Sequence, residues 1–255
     1  MAEDFYKDGI LHCGNCGEPK ERKLEMNGRT IKPKCMCKCE REELKKQQEE
    51  YQRQEEQKQI DDLRIRCFKD KELRSYTFES DDEQNKISKV ARNYVDNFEK
   101  MGNKGLLLFG SVGTGKTFIA CCIANALIDK GHSCLVTNFA RLVNEIGGIF
   151  DKQKIFDDLR EYDLLIIDDL ASERDTEYMN EIVMNVINER YLSGKPIIVT
   201  TNLTSNELKH SSTINKQRVY SRLYEMCIFV EVVGEDRRKE KLKRSQKELG
   251  RILGL

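Results

Sequence analysis

Gly110-Ser111-Val112-Gly113-Thr114-Gly115-Lys116-Thr117 satisfies the pattern G-x-x-x-x-G-K-[ST]. A glycine-rich turn of this kind aims successive backbone N–H groups inward around phosphate oxygens. The lysine reaches the β- and γ-phosphates, and the threonine hydroxyl can ligate Mg²⁺. The octet by itself recurs by chance, so its flanks decide. Upstream, Gly105-Leu106-Leu107-Leu108-Phe109 is a short apolar run that reads as a buried strand. Downstream, residues 118–128 form an apolar helix ending near Gly131. Strand, loop and helix are the setting a phosphate cradle needs, because the helix N-terminus adds partial positive charge of its own. All eight residues are therefore expected in nucleotide binding.

The chain has 255 residues, enough for one sizeable domain and a smaller module. With 38% hydrophobic and 35% charged residues it reads as soluble with long solvated segments. No apolar run approaches the ~18 residues of a membrane span, and the acidic start, residues 1–8, lacks an apolar signal core. A cytoplasmic location without membrane association is expected. Forty-four Lys and Arg balance 44 Asp and Glu, so nucleic-acid binding could come only from a local patch.

Five of the ten cysteines crowd into residues 13–39. In a reducing compartment that asymmetry points to a metal rather than to disulfides. Cys13-Gly14-Asn15-Cys16-Gly17 has the shape of a zinc knuckle, whose tight turn presents two thiolates to one ion. A second pair from Cys35-Met36-Cys37-Lys38-Cys39 would complete a tetrahedral Zn²⁺ site. Cys37 with Cys39 is preferred because it leaves Cys35 in a strand, with pairs that include Cys35 as alternatives. Between the pairs, Asn27-Gly28 signals a hairpin turn. His12 reads as a neighbour of the cluster. So short a module cannot bury a core, and a metal would supply the missing stability.

Residues 40–66 contain neither Gly nor Pro and place opposite charges at i,i+4 spacing, which predicts a solvated connecting helix. Its apolar residues, Leu44, Tyr51, Ile60 and Leu63, are too sparse for a coiled-coil seam. A helix from about Asn85 to Met101 follows, with Val90, Tyr94, Val95 and Phe98 on one face. After the phosphate loop, strands are expected over 133–137, 162–169, 196–201 and 227–233. Helices are expected over 139–145, 153–161 and 177–193. Alternation of this kind gives a parallel sheet with helices on both faces, the α/β fold of P-loop ATPases. The expected organisation is a zinc module over 1–39, a helical linker over 40–67 and an ATPase domain over 68–255.

Tyr162-Asp163-Leu164-Leu165-Ile166-Ile167-Asp168-Asp169 is an apolar strand ending in two carboxylates. At the strand tip Asp168 would hold Mg²⁺, and Asp169 would orient and deprotonate the attacking water. The following strand ends in Asn202, which could hold that water beside the γ-phosphate. Arg218 and Arg222 lie one helical turn apart, and an arginine there can act on a neighbouring subunit's γ-phosphate. Arg237 and Arg238 follow the last strand and are candidates for nucleotide contact.

This combination resembles the AAA+ ATPases of the DnaC/DnaI type, the replicative helicase loaders of bacteria and phages. The residues that carry the resemblance are 110–117, 164–169, 200–203 and 218–223, with the cysteine cluster in front. The resemblance implies that Lys116 and Thr117 bind ATP·Mg²⁺ and that Asp168 is the Walker B aspartate. Asn202 matches sensor 1, Arg222 the arginine finger, and Arg238 or Arg237 the sensor 2 position. It further implies a hexameric DnaB-type helicase as partner, single-stranded DNA, and a homo-oligomer completed by Arg222 in trans. Two departures stand out: Asp168-Asp169 replaces the commoner Asp-Glu, which implies slow hydrolysis, and Glu-Asp-Arg-Arg replaces Ser-Tyr-Arg after Gly234. The chain lacks the guanine-reading Asn/Thr-Lys-x-Asp motif of GTPases and the Leu-Ser-Gly-Gly-Gln signature of ABC ATPases. The other reading with similar motifs is an IstB-type ATPase that assists DNA transposition, whose amino terminus usually lacks a cysteine module.

Lys116→Ala is expected to abolish measurable ATP affinity in a calorimetric titration; unchanged affinity would overturn the phosphate-loop reading.

Overall fold

A computed structural model of the chain describes residues 2–81, 86–147, 152–171, 176–210 and 213–237, together with 239, 242, 246, 249, 251 and 252. The chain divides into two compact units, Met1–Gln59 and Ile60–Leu255.

In the first unit, β1 (Phe5–Lys7) and β2 (Ile10–His12) form one antiparallel pair, and β3 (Leu24–Met26) and β4 (Arg29–Ile31) form another. Asn27 and Gly28 both take positive φ, at 52° and 73°. That is the primed turn an Asn-Gly pair favours, since its twist matches the strands it joins. Asp8 and Gly9 do the same between β1 and β2, a second hairpin signal that the sequence analysis did not use. The helix α1 (Lys38–Cys67) then runs for 30 residues, its first part in this unit and residues 60–67, with the buried Cys67, in the second. Leu44 and Tyr51 are exposed, so no apolar seam runs along it. The pairs Lys38–Glu42 and Lys45–Glu49 stand at i,i+4, each worth a few tenths of a kcal/mol.

In the second unit, two short 3₁₀ turns, Glu72–Ser75 and Phe78–Ser80, precede α2 (Lys86–Asp96) and α3 (Phe98–Met101). Then follow β5 (Gly105–Phe109), α4 (Lys116–Asp129), β6 (Cys134–Asn138), α5 (Phe139–Gly147) and α6 (Lys152–Glu161). The rest is β7 (Leu164–Leu170), α7 (Glu177–Ser193), β8 (Ile197–Thr201), α8 (Ser205–Lys209), α9 (Ile214–Met226) and β9 (Cys227–Glu231). Five strands form one parallel sheet in the order β6-β7-β8-β5-β9, so β8 lies between the phosphate-loop strand and the strand that ends in two aspartates.

The strands are apolar throughout because both faces are covered. Leu107, Phe109, Leu165, Ile167 and Val199 pack on one side with α5, α6, α7 and α9. Leu106, Leu108, Leu164, Ile166 and Ile198 pack on the other with α2 and α4. The alternation along each strand is the period of two that sends neighbouring side chains to opposite faces. Helix α4 lies deepest, with ten of its 14 residues buried, and accordingly carries apolar residues all round.

The single helix expected to reach Met101 is broken. Asn97 leaves helical geometry (φ −115°, ψ 18°), its side chain donates to Asn93 O at 2.9 Å, and a short α3 restarts beyond it. The buried face is also rotated from expectation. Ile87, Ala91, Tyr94 and Val95 are inside, whereas Val90, at the margin of that stripe, is 40% exposed. A small residue, Ala91, marks the true centre and gave the pattern little weight. The strand expected over 227–233 ends at Glu231, where its pairing with Phe109 ends. Among the described residues no helix is long and apolar enough to cross a membrane.

One buried charge, unforeseen in the sequence, closes the end of the sheet opposite the aspartates. Arg190 on α7 is 1% exposed. Its guanidinium donates to Pro196 O at 3.0 and 2.7 Å, Leu159 O at 3.1 Å, Tyr162 O at 2.8 Å and Asp163 O at 2.8 Å. The ends of α6 and α7 and the starts of β7 and β8 are thus tied to one rigid fork, whose five donors suit carbonyls gathered at the sheet's end. Burial lowers its pKa to about 10, still charged at neutral pH. Arg190→Met is expected to strand these carbonyls and to destabilise the second unit by ~3 kcal/mol or more. A fall in melting temperature of roughly 6–12 °C would report it in a thermal scan, and an unchanged melt would refute the clamp.

Candidate functional site

The phosphate loop joins β5 to α4 and its conformation depends on glycine. Gly113 has φ +82°, and a Cβ there would lie 2.1 Å from Asp236 Oδ1; Gly110 has φ +132°, and a Cβ would lie 2.7 Å from Val232 O. Neither position admits a side chain, so the turn keeps its backbone N–H groups accessible. Lys116, the first residue of α4, is buried. Its Nζ donates to Gly110 O at 2.9 Å and Ser111 O at 2.7 Å, curling over the loop where phosphate oxygens would compete for it. Thr114 Oγ1 donates to Ser111 O at 3.0 Å and braces the turn.

A network of short hydrogen bonds connects this loop with the tips of β7 and β8. Thr117 Oγ1 donates to Asp168 Oδ1 at 2.8 Å, and Thr200 Oγ1 donates to the same oxygen at 2.6 Å. Thr200 Oγ1 in turn accepts the backbone N–H of Asp169 at 2.8 Å. Asn202 Nδ2 donates to Asp169 Oδ1 at 2.7 Å. Asp169 and Ala171 have φ of 61° and 72°, and the register between β7 and β8 shifts between Ile167 and Leu170. Left-handed backbone at non-glycine residues costs on the order of 1 kcal/mol each and recurs where a site dictates side-chain direction. Here the bulge lets two consecutive carboxylates take separate partners, Asp168 facing Thr117 and Asp169 facing Asn202.

A cleft of about 710 Å³ opens over these groups, lined by Lys116, Thr117, Asp168, Asp169, Thr200 and Asn202 among others. Its far wall comes from the 3₁₀ turns and α4: Glu72, Leu73, Ser75, Tyr76 and Phe118. Arg237 also lines it, with its N–H on Gly113 O at 3.0 Å and its guanidinium 3.6 Å from the fully buried carboxylate of Asp81. Arg238, the other expectation for this position, lies outside the described residues. Arg222 does not line the cleft. It reaches Met184 Sδ at 3.0 Å and stands 5.9 Å over the Tyr191 ring, both on α7, while Arg218 is exposed on the same helix. From the sequence, no role is assigned to Thr200, Tyr76 or Phe118; a hydroxyl at the tip of an apolar strand was the available signal for the first.

In the first unit, the sulfurs of Cys13, Cys16, Cys37 and Cys39 lie within 4.8 Å of one another. Cys13 N–H to Glu18 O and Gly17 N–H to Cys13 O, both 2.8 Å, fold the knuckle. Cys35 faces Pro19 O instead, at 3.3 Å. His12 Nδ1 donates to Gly17 O at 2.8 Å, and the ring stacks on Phe5. The backbone N–H of Cys39 helps hold the Cys16 thiol down to about 6, whereas the Cys16 thiol pushes Cys39 up to about 12. Four adjacent thiolates repel, and a divalent cation is what would allow all to ionise. The donor set and spacing fit tetrahedral Zn²⁺.

Residues 34–245 match the family model of the IstB-like ATP binding protein. The replicative helicase loader DnaI of Bacillus subtilis (strain 168) is 26% identical over 244 residues, covering 89% of this chain and 76% of that protein. The replicative helicase loader DnaC of Escherichia coli (strain K12) is 29% identical over 155 residues, 58% of this chain, which spans only 61% of that protein. A crystal structure of DnaI superposes with a TM-score of 0.56 at 22% identity over 67% of this chain and 94% of that one, a likeness of fold. The cradle around Lys116 and the carboxylates at the tip of β7 thus sit on a fold shared with these proteins, and the chain belongs to the IstB-like ATP-binding family.

Proposed function

We propose that this protein is an ATP-driven loader that binds a hexameric replicative DNA helicase and helps place it on single-stranded DNA. The observation that carries this reading is the extent of the likeness to the B. subtilis loader. A match over 89% of the chain leaves out fewer residues than the 59 of the first unit, so it reaches into the cysteine-bearing part as well as the ATPase part. The transposition-helper reading rests on the family model's name, and that model's match begins at residue 34, after Cys13 and Cys16.

In this reading Lys116 moves from its loop carbonyls to the β- and γ-phosphate oxygens. Thr117 and Asp168 would hold Mg²⁺, which would supply neutralisation of phosphate charge there. Thr200 orients Asp168 through the 2.6 Å hydrogen bond. Asp169 accepts a proton from the attacking water, and Asn202, bonded to it at 2.7 Å, fixes where that water lies. Aspartate is one methylene shorter than the commoner glutamate, which fits an ATPase used as a timer. Arg237 stands at the sensor 2 position. Arg222, being outside its own cleft, serves the cleft of a neighbouring subunit. The cysteine module, stabilised by Zn²⁺ on Cys13, Cys16, Cys37 and Cys39, contacts the helicase. A cytoplasmic site of action follows from that role.

Native mass spectrometry of the full chain with the replicative helicase of the same source, with and without ATP, tests the proposal; no complex in either state overturns it. Arg222→Ala should retain ATP binding while hydrolysis falls about 10³-fold. Mixing it with an Asp169→Asn chain should restore part of the activity, because each intact site then meets an intact arginine. Normal hydrolysis by Arg222→Ala alone would refute action in trans. Elemental analysis should find about one zinc per chain, lost in Cys16→Ser. A metal-free preparation with reduced thiols would remove the zinc assignment.

A further inference from the structure

Asn125 is the one polar side chain in the run 119–128 of α4, and it is 1% exposed. Its Nδ2 donates to Tyr76 O at 2.9 Å, Leu73 O at 3.2 Å and Cys121 O at 3.2 Å. Its Oδ1 accepts from Arg64 Nε at 3.2 Å, and Arg64 also pairs with Asp61 and Asp129. A carboxamide can face two ways, and the guanidinium decides which: a donor on Oδ1 sends the NH₂ group to the carbonyls.

Leu73 and Tyr76 line the nucleotide cleft together with Glu72, Ser75 and Ser80 of the same segment. The Tyr76 ring leans on Phe118, with centroids 5.3 Å apart, and Phe118 follows Lys116 and Thr117 on α4. A triphosphate on the loop leaves its nucleoside for the remainder of the cleft, where these aromatic and apolar groups lie. The segment that carries Tyr76 lacks α-helical or sheet hydrogen bonding of its own. Its placement therefore depends on ties to its neighbours, the Arg74 guanidinium on Phe68 O at 2.9 Å before it and Asn125 on α4 behind Leu73 and Tyr76.

We propose that Asn125 is the positioning residue for the base-facing wall of the cleft. By pinning the Leu73 and Tyr76 carbonyls to α4 it presents Tyr76 and Phe118 to a nucleobase as a preformed surface, and Arg64 holds the amide in that orientation. The proposal rests on the ATP-site reading and deepens it: phosphate affinity comes from the loop, whereas nucleoside affinity comes from a wall set by a side chain that touches no ligand. Preorganisation of that wall spares the ordering cost on binding.

Calorimetric titration of the full-length protein with MgATP and with magnesium tripolyphosphate, which has no base, separates the two. Asn125→Ala should weaken ATP about ten-fold and leave tripolyphosphate within about two-fold. Arg64→Gln, a change at a partly exposed side chain, should weaken ATP about three-fold with the same selectivity, and it decides the matter if Asn125→Ala does not fold. Unchanged ATP affinity, or equal losses for both ligands, overturns the proposal. A wild-type protein that binds neither ligand overturns the nucleotide site itself, a failure distinguishable from that of Asn125.

Discussion

The carboxylate of Asp168 is the point on which the second unit's working surface depends. Its Oδ1 accepts hydroxyl hydrogens from Thr117 on the phosphate-loop helix and from Thr200 on β8, so three elements meet at one oxygen. Hydrogen bonds to a charged acceptor are shorter and stronger than neutral ones, and they fix direction as well as distance. The parallel sheet makes the meeting possible, because every strand brings its C-terminal end to the same edge. With β8 inserted between β5 and β7, Thr200 and Asn202 fall between the loop and the aspartates.

The opposite edge of the sheet is secured differently. Arg190 gathers carbonyls where β7 and β8 begin. One end thus carries an oriented polar network open to a cleft and the other a buried, fully engaged guanidinium. The apolar strands between them are rigid enough to hold each arrangement. Among the described residues of the second unit, left-handed backbone at non-glycine positions occurs only at the working end, at Asp169 and Ala171, where a shared edge must aim neighbouring carboxylates at different partners.

Much of this was legible in the residues. The strand over 105–109 and the helix over 177–193 stand where apolar runs and their boundaries put them, the latter between a Thr176 cap and Gly194 in left-handed conformation. The preference for Cys37 and Cys39 over Cys35 followed from keeping Cys35 in extended chain, and the four sulfurs that cluster are those of that choice. Less legible was anything set by phase or by partners. Val90 was placed inside because a valine outweighs an alanine in a periodic pattern, although packing chose the stripe through Ala91.

The sequence by itself determined the order of elements, the two-sided sheet, the phosphate loop and the cysteine knuckle, because each is a local pattern: alternation, apolar runs, glycine spacing, thiol spacing. Only the tertiary structure decided that Thr200 stands between Asp168 and Asp169, that Arg237 lines the cleft, that Arg222 lies outside it, and that Asn125 and Arg190 spend their hydrogen bonds on distant carbonyls. Those assignments join residues tens of positions apart. They depend on which strands become neighbours and which backbone groups are left without partners, and neither quantity is written in any single stretch of the chain.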